Sequence, residues 1–192
     1  IAFMSSLQLK QFGANLFVAD LVAIAVVREL GPIMTAILVA GRSGSAFAAE
    51  IGTMQVNEEV AALETMGFDP MRFLSVPKLL AMLAVLPVLT IYADILGILG
   101  GLVIGLTALD LTFRSYMAET HSVLSATVIF ASLIKTVAFA VLIATVGCQR
   151  GFRVQGGADA VGAAATSAVV TAIFLIIIAD SVFAVILQYL GI

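Results

Sequence analysis

Charged side chains are scarce in this sequence, which has 9 lysine and arginine residues and 12 aspartate and glutamate residues among 192. Charged residues make up 11% of the chain, hydrophobic residues make up 62%, and the mean hydropathy is +1.19. Soluble domains have about 25% charged residues, so this composition predicts an integral membrane protein. The net charge of −3 provides no basic patch, which argues against nucleic acid as a partner.

The sequence also lacks the residues that most enzymatic and metal sites require. It has one histidine, His121, and one cysteine, Cys148. The sequence therefore gives no evidence of a Ser/His/Asp triad or of metal-ligand spacing, and one cysteine excludes a disulfide within the chain. No GxxxxGK[ST] phosphate loop occurs, and ATP must therefore be bound by a partner. We expect this chain to be no enzyme and to hold no cofactor or metal of its own.

Long apolar runs make up most of the chain. They exceed the roughly 20 residues that cross a bilayer as a helix, and none alternates as barrel strands do. The fold class is therefore all-α, a polytopic helical membrane protein with about five transmembrane helices in a single domain over residues 1–192. The predicted spans cover residues 1–9 (the end of a truncated first span), 16–51, 79–106, 122–146 and 163–190, with polar connections at residues 107–121 and 147–162.

Residues 27–78 organise the rest of the chain. Gly31 and Pro32 predict a bend in the second span, because proline cannot donate the helical hydrogen bond. Small residues recur at every fourth position and allow close helix contact in lipid, either within the subunit or across a homodimer. These rows are Ala36, Ala40, Gly44, Ala48 and Gly52, and then Gly97, Gly101 and Gly105 in the third span.

A short acidic helix is predicted between the second and third spans. Asn57 is its predicted N-cap, Gly67 stands where it would end, and Asp69-Pro70 reads as a cap for the next helix. Such a helix, held between two spans, is typical of a rigid contact element at the membrane surface. Its contact residues are Glu58, Glu59, Val60, Leu63, Glu64 and Met66.

Orientation follows from the basic residues near the span ends. Arg72, Lys78, Arg150 and Arg153 lie on the side of the acidic helix, and Lys10 and Arg114 lie on the other side. Because cytoplasmic loops carry the excess of lysine and arginine, the acidic helix is predicted to be cytoplasmic.

Five ionisable residues fall inside the predicted spans: Arg28, Glu29, Asp94, Lys135 and Asp180. Counted at about 1.5 Å per residue from the outer ends, all five lie at one depth, roughly 15–19 Å down. Charges in the membrane need a partner or a water-filled cavity. We predict that Lys135 pairs with Asp180, with Asp94 as the fallback partner, while Arg28 and Glu29 border a cavity at the kink. Purely structural ion pairing is the alternative reading of these residues.

Several longer motifs together resemble the MlaE permease family over nearly the whole chain. They are RELGP at 28–32, AGRSGSAFAAEIGTM at 40–54, EEVAALETMGFDP at 58–70, VPKLLAMLAVLPVLT at 76–90, LIK at 133–135 and GADAVGAAATSAVV at 157–170. Members of that family are membrane subunits of ABC transporters that move phospholipids between the bacterial inner membrane and the outer envelope, maintaining lipid asymmetry.

The resemblance implies a set of partners and sites. It implies a permease homodimer, cytoplasmic ATPase subunits that hold ATP and Mg²⁺, an MCE-domain protein and, in some systems, a STAS-domain protein. The acidic helix would be the coupling helix on the ATPase, and Arg28, Glu29 and Leu30 would border the lipid pocket. The family's N-terminal interfacial helix and most of its first span are absent from this sequence.

Two other functions remain alternatives at the level of the residues. An ion- or proton-coupled secondary carrier would use the acidic residues inside the spans, although no inverted repeat is visible. A structural membrane anchor would need no translocation path at all. A stably bound ATPase partner would distinguish the transporter subunit from both.

Overall fold

The computed structural model describes residues 17–108 and 111–189 of the chain. Within these ranges every regular element is a helix, which confirms the all-α fold. Four stretches are long and apolar enough to cross a membrane: Asp20–Val56, Met71–Thr107, Ala126–Phe152 and Ala158–Tyr189. They correspond to the second to fifth predicted spans, and the predicted first span at residues 1–9 lies outside the described residues.

The first described span is a composite helix over residues 17–56. It consists of α1 (Phe17–Ala25), α2 (Gly31–Val39) and α3 (Ser45–Val56), joined without a break by π-helical turns at Val26–Leu30 and Ala40–Gly44. The elements that follow are α4 (Glu59–Thr65), a π-turn (Met71–Ser75), α5 (Val76–Ala108), α6 (Phe113–Val123), α7 (Ala126–Phe152) and α8 (Ala158–Tyr189). We name the two ends of the bundle the α4 end and the α6 end, after the short helices that lie there.

Pro32 accounts for the first π-turn. A proline inside a helix has no N–H for the carbonyl four residues earlier, and its ring crowds that carbonyl. The helix widens instead of breaking, because the Gly31 N–H donates to the carbonyl of Val26, five residues back. The predicted bend is therefore a π-helical widening, and it deprives the Arg28 carbonyl of its ordinary α-helical donor.

The core forms around α7, which packs against the composite helix, α5 and α8. Phe139 and Ile143 of α7 and Ile176 of α8 are fully buried there. Large side chains on the outer faces of the helices remain exposed, for example Leu38 and Phe130 at 73% and 65%. Such faces suit a bilayer, because hydrocarbon tails solvate leucine and phenylalanine as well as a protein core does.

The small-residue row of the composite helix packs against α7 within the same chain. Ala40 and Ala48 are fully buried, and a Cβ added at Gly147 of α7 would lie 2.8 Å from the Gly44 carbonyl oxygen. A Cβ added at Gly151 would lie 3.0 Å from the Ala48 carbonyl oxygen. The backbones of the two helices therefore touch, with no side chain between them.

The second row, on α5, receives side chains from two other helices. A Cβ at Gly97 would lie 2.6 Å from Val26 Cγ1. At Gly101 it would lie 2.7 Å from Val22 Cγ1, and at Gly105 it would lie 3.2 Å from a ring carbon of Tyr116. This row thus fixes α5 against the composite helix and against α6.

Residues 107–121, predicted as a polar connection, contain helix α6. Tyr116 anchors this helix, since its side chain is 1% exposed and its hydroxyl donates to the Ile98 carbonyl at 3.1 Å. Burial raises the pKa of the Tyr116 phenol. The segment connects two spans, as predicted, but the sequence did not indicate that it is helical, because a single buried aromatic side chain fixes it.

The predicted connection at residues 147–162 is also corrected. Helix α7 continues to Phe152 and α8 begins at Ala158, which leaves only residues 153–157 between them. Gly147 and Gly151 therefore lie inside a helix, where their missing side chains allow the contact with α3.

The caps around α4 follow the sequence in part. Asn57 is not the N-cap; that position is Glu58, whose φ of 60° lies in the left-handed region and whose side chain makes no capping hydrogen bond. Gly67 ends the helix with a φ of +87°, as predicted. Asp69 caps the following helix as predicted, because its Oδ1 accepts from the N–H groups of Met71 and Arg72 at 3.0 and 3.3 Å.

The contact between α3 and α7 predicts the effect of two matched substitutions. Gly147→Ala should lower the thermal unfolding midpoint, since its new methyl group meets the Gly44 backbone and overpacking typically costs about 1–3 kcal/mol. Gly100→Ala is the control, because a Cβ there has nothing within 4 Å. Both midpoints would be measured on the full-length protein in detergent. Equal midpoints for the two variants would contradict the backbone contact.

Candidate functional site

A buried lysine joins three helices inside the bundle. Lys135 on α7 has no exposed surface, and its ammonium lies 2.7 Å from Glu29 Oε2 on the composite helix and 2.5 Å from Asp180 Oδ1 on α8. It also donates to the carbonyl oxygen of Arg28 at 3.1 Å. That carbonyl is the one whose α-helical donor is lost to Pro32. The lysine therefore donates two hydrogen bonds, to Glu29 and to the Arg28 carbonyl, and forms an ion pair with Asp180.

Arg28 completes the group, which we call the charge cluster: Arg28, Glu29, Lys135 and Asp180. The Arg28 Nε lies 4.0 Å from Glu29 Oε1, so the cluster holds two cations and two carboxylates. Balanced pairing is what allows ionised groups to remain in a medium of low dielectric. The cluster lies about 14 Å from the ends of α7 and α8 at the α6 end, counted along each helix.

The charge cluster is open on one side only. The side chains of Arg28 and Glu29 are 29% and 34% exposed, whereas Asp180 is 14% exposed and Lys135 is fully buried. Leu30 beside them is half-buried. An incoming polar group can therefore reach the Arg28 guanidinium and the Glu29 carboxylate. Lys135 and Asp180 lie on the buried side of the cluster.

The structure brings the predicted residues together in a different arrangement from the expected one. Lys135 and Asp180 meet, and Glu29, which was expected only to border a cavity, is the second carboxylate on Lys135. Asp94, the fallback partner, lies outside the cluster. A Cβ at Gly31 would meet its carboxylate, and Asp94 Oδ1 is buried without a hydrogen-bond partner among the described residues.

A second candidate site covers the surface of α4. Glu58, Glu59 and Glu64 are exposed, Leu63 is half-buried, and Val60 is buried under the helix. Met66, at the end of the helix, is 63% exposed and faces outward. The outer surface of α4 therefore carries carboxylates over most of its length and an apolar side chain where it ends.

Aromatic and methionine side chains extend this surface beyond α4. Phe68, Met71 and Phe73 are each more than half exposed, and the Phe68 and Phe73 ring centroids are 5.5 Å apart. The sequence-based prediction stopped at Met66 and missed these residues. The signal that would have found them is a segment with two phenylalanines and a methionine, FDPMRF at residues 68–73, that directly follows a surface helix.

The contact of Lys78 with Glu50 and Phe47, which we call the clamp, joins the two helices that flank α4. Lys78 on α5 lies 2.6 Å from Glu50 Oε2 on α3, and its ammonium lies 5.0 Å from the ring centroid of Phe47. The Lys78 side chain is 14% exposed, so both attractions act partly shielded from water. The two helices that flank α4 are thereby joined directly beneath it.

These features define a class of protein: a multi-pass helical membrane protein with charges buried in its spans and a short exposed helix at one surface. Among the described residues no group of three or more histidine, cysteine, aspartate or glutamate side chains could hold a metal ion.

Comparison with known proteins gives the particular family. Residues 1–186 match the family described as Permease MlaE. A probable ABC transporter permease protein of Rickettsia prowazekii is 37% identical over 180 residues, which are 94% of this chain and 70% of that protein. A probable ABC transporter permease protein of Synechocystis is 38% identical over 169 residues, 88% of this chain and 64% of that protein.

A plant protein is similar as well. Protein TRIGALACTOSYLDIACYLGLYCEROL 1, chloroplastic, of Arabidopsis thaliana is 37% identical over 172 residues, which are 90% of this chain and 49% of that protein. The chain belongs to the MlaE permease family, and it is a permease subunit of an ABC transporter. The predicted family is confirmed, and a subunit of this kind works in a membrane together with a separate ATPase.

The charge cluster predicts strong coupling between two substitutions. Lys135→Ala strands two carboxylates, and removing one partner of a buried pair typically costs about 3–5 kcal/mol. Asp180→Asn removes one of those carboxylates, so the double variant should be less destabilised than the sum of the single variants. Thermal unfolding of the full-length protein in detergent measures all four states. Strictly additive losses would show that the two side chains do not interact.

Proposed function

We propose that this permease subunit moves phospholipids between the bacterial inner membrane and the outer envelope and so maintains lipid asymmetry. The observation that carries the proposal is the charge cluster, which lies in otherwise apolar spans and is open at Arg28 and Glu29. A phospholipid combines a charged head group with long apolar chains, and it needs a translocation path that offers both kinds of surface.

The residues at the opening suit a phosphate-bearing head group. The guanidinium of Arg28 can donate two parallel hydrogen bonds to a phosphate, and Glu29 can accept from an amine or a hydroxyl of the same head group. Leu30 provides an apolar wall beside them. The name of the Arabidopsis relative contains the name of a glycolipid, which supports a lipid as the class of substrate.

The proposed assembly is a permease homodimer with two ATPases on the α4 surface. ATP and Mg²⁺ belong to the ATPases, an MCE-domain protein exchanges lipid at the α6 end, and a STAS-domain protein binds the ATPase in some systems. Among the described residues, basic side chains favour this orientation, since Arg72, Lys78, Arg150 and Arg153 lie at the α4 end and Arg114 lies at the other end.

Coupling would run from α4 to the charge cluster through the clamp. ATPase closure moves α4, and the contact of Lys78 with Glu50 and Phe47 passes that movement to α3 and α5 together. The composite helix continues from α3 to Glu29, so the lipid cavity at the dimer interface opens or narrows as the helix shifts. The chemistry is conformational, and this chain forms no covalent intermediate.

Transport by the reconstituted transporter tests the proposed function. The full-length permease with its ATPase and MCE-domain partner should transfer a fluorescent phospholipid only when ATP is hydrolysed. Glu29→Gln removes a charge-assisted hydrogen bond worth about 1.5–3 kcal/mol, and the transfer rate should fall about tenfold or more. Glu119→Gln, the same chemical change on α6, is the matched control. Transfer without ATP, or equal rates in both variants, would contradict the proposal.

Charge reversal on α4 tests the ATPase contact separately. The double variant Glu58→Lys and Glu59→Lys should weaken ATPase association or uncouple ATP hydrolysis from transfer, because it inverts the charge of the exposed first turn. Asp159→Lys, an exposed carboxylate at the same end of the bundle, is the control for a general change of surface charge. Co-purification and lipid-stimulated ATP hydrolysis are the measurements. Unchanged values in the double variant would refute the assignment of α4.

A further inference from the structure

A polar pocket of about 290 Å³ opens at the α4 end, between the end of α7, the connection 153–157 and the first turns of α8. The side chains of Arg150, Arg153, Gln155 and Ser167 line it. Small residues of α8, among them Ala163 and Ala164, form its far wall, so the space between the arginines and α8 is not filled by side chains. None of these residues belongs to the charge cluster or to α4.

The Arg150 side chain is held in place but only partly satisfied. Its Nη2 donates to the Thr171 hydroxyl at 3.0 Å, while its Nε is buried and has no hydrogen-bond partner among the described residues. A buried donor of a charged group is costly to leave unpaired. Within the described residues no carboxylate lies within 4.0 Å of Arg150 or Arg153, so two guanidinium groups share one pocket without a counter-ion.

We infer that this pocket binds the phosphate of a phospholipid from the leaflet at the α4 end, an inference that rests on the proposed function in lipid transport. A phosphate would accept from the part of the Arg150 guanidinium that lines the pocket, and Arg153 at the exposed mouth would neutralise the remaining charge. Thr171 orients Arg150 toward the pocket and is a positioning residue. The site is separate from the charge cluster, because Thr171 and Asp180 are about 14 Å apart along α8.

The surroundings favour a lipid over a free phosphate ion. Val170 and Phe174 of α8 are both 63% exposed, and they follow Ser167 at three and seven positions, on the same side of the helix. They continue from the pocket toward the middle of the span. An acyl chain can lie along this strip while the phosphate occupies the pocket, and a free phosphate would make no use of it.

Binding is measured on the full-length permease in detergent, without its ATPase and without ATP. Phosphatidylglycerol is the probe, and diacylglycerol with the same acyl chains is the probe that lacks a phosphate. Native mass spectrometry counts the bound lipid. Arg150→Gln and Arg153→Gln remove the proposed ligands, and Thr171→Val removes only the positioning hydrogen bond. Arg72→Gln is the control, since it removes an 87% exposed arginine at the same end of the bundle.

We expect Arg150→Gln to weaken phosphatidylglycerol binding about tenfold or more, as for the loss of a charge-assisted hydrogen bond. Arg153→Gln and Thr171→Val should weaken it less, Arg72→Gln should leave it unchanged, and diacylglycerol should not occupy the site. Because Arg153 is exposed, its variant tests the site even if Arg150→Gln lowers stability. Equal weakening in Arg72→Gln, unchanged binding in both pocket variants, or equally tight binding of inorganic phosphate would overturn the lipid site.

Discussion

The ammonium of Lys135 is the interaction on which the rest of the bundle depends. A fully buried lysine needs protein partners for its charge and its N–H groups; here Glu29 and the Arg28 carbonyl accept hydrogen bonds from it, and Asp180 forms an ion pair with it. The carbonyl is available because Pro32 cannot donate to it. The kink in the composite helix therefore supplies an acceptor to the lysine of α7, and the lysine satisfies a carbonyl that the kink leaves without its helical donor.

The sequence predicts the depth of this cluster well and its arrangement poorly. Helical rise is fixed at about 1.5 Å per residue, so Lys135 and Asp180 could be placed at one level by counting. Which side of a helix a residue occupies depends on its winding, and the π-turn at Val26–Leu30 changes that winding locally. Glu29 consequently reaches Lys135, while Asp94 lies against Gly31 and not in the cluster.

In the fold as well, features set by composition are predictable from the sequence, and features set by individual contacts are not. Apolar length predicts the four described spans, because the bilayer sets how much of a helix must be apolar. Helix α6 could not be predicted from apolar length, because a single buried ring, Tyr116, fixes an otherwise polar segment. Gly147 and Gly151 fall within the predicted connection 147–162. In the structure they lie inside α7, where the backbone of the composite helix approaches. Glycine alone does not distinguish a turn from a close crossing of helices.

The two π-turns of the composite helix have a geometric consequence. Each π-turn contains one residue more than an α-helical turn would need, and one residue corresponds to about 100° of rotation. Because Pro32 cannot donate the α-helical hydrogen bond, the first of these offsets is fixed by the sequence. Each π-turn therefore changes which side of the following segment faces the neighbouring helices, and three segments of one continuous helix present three different faces to the bundle.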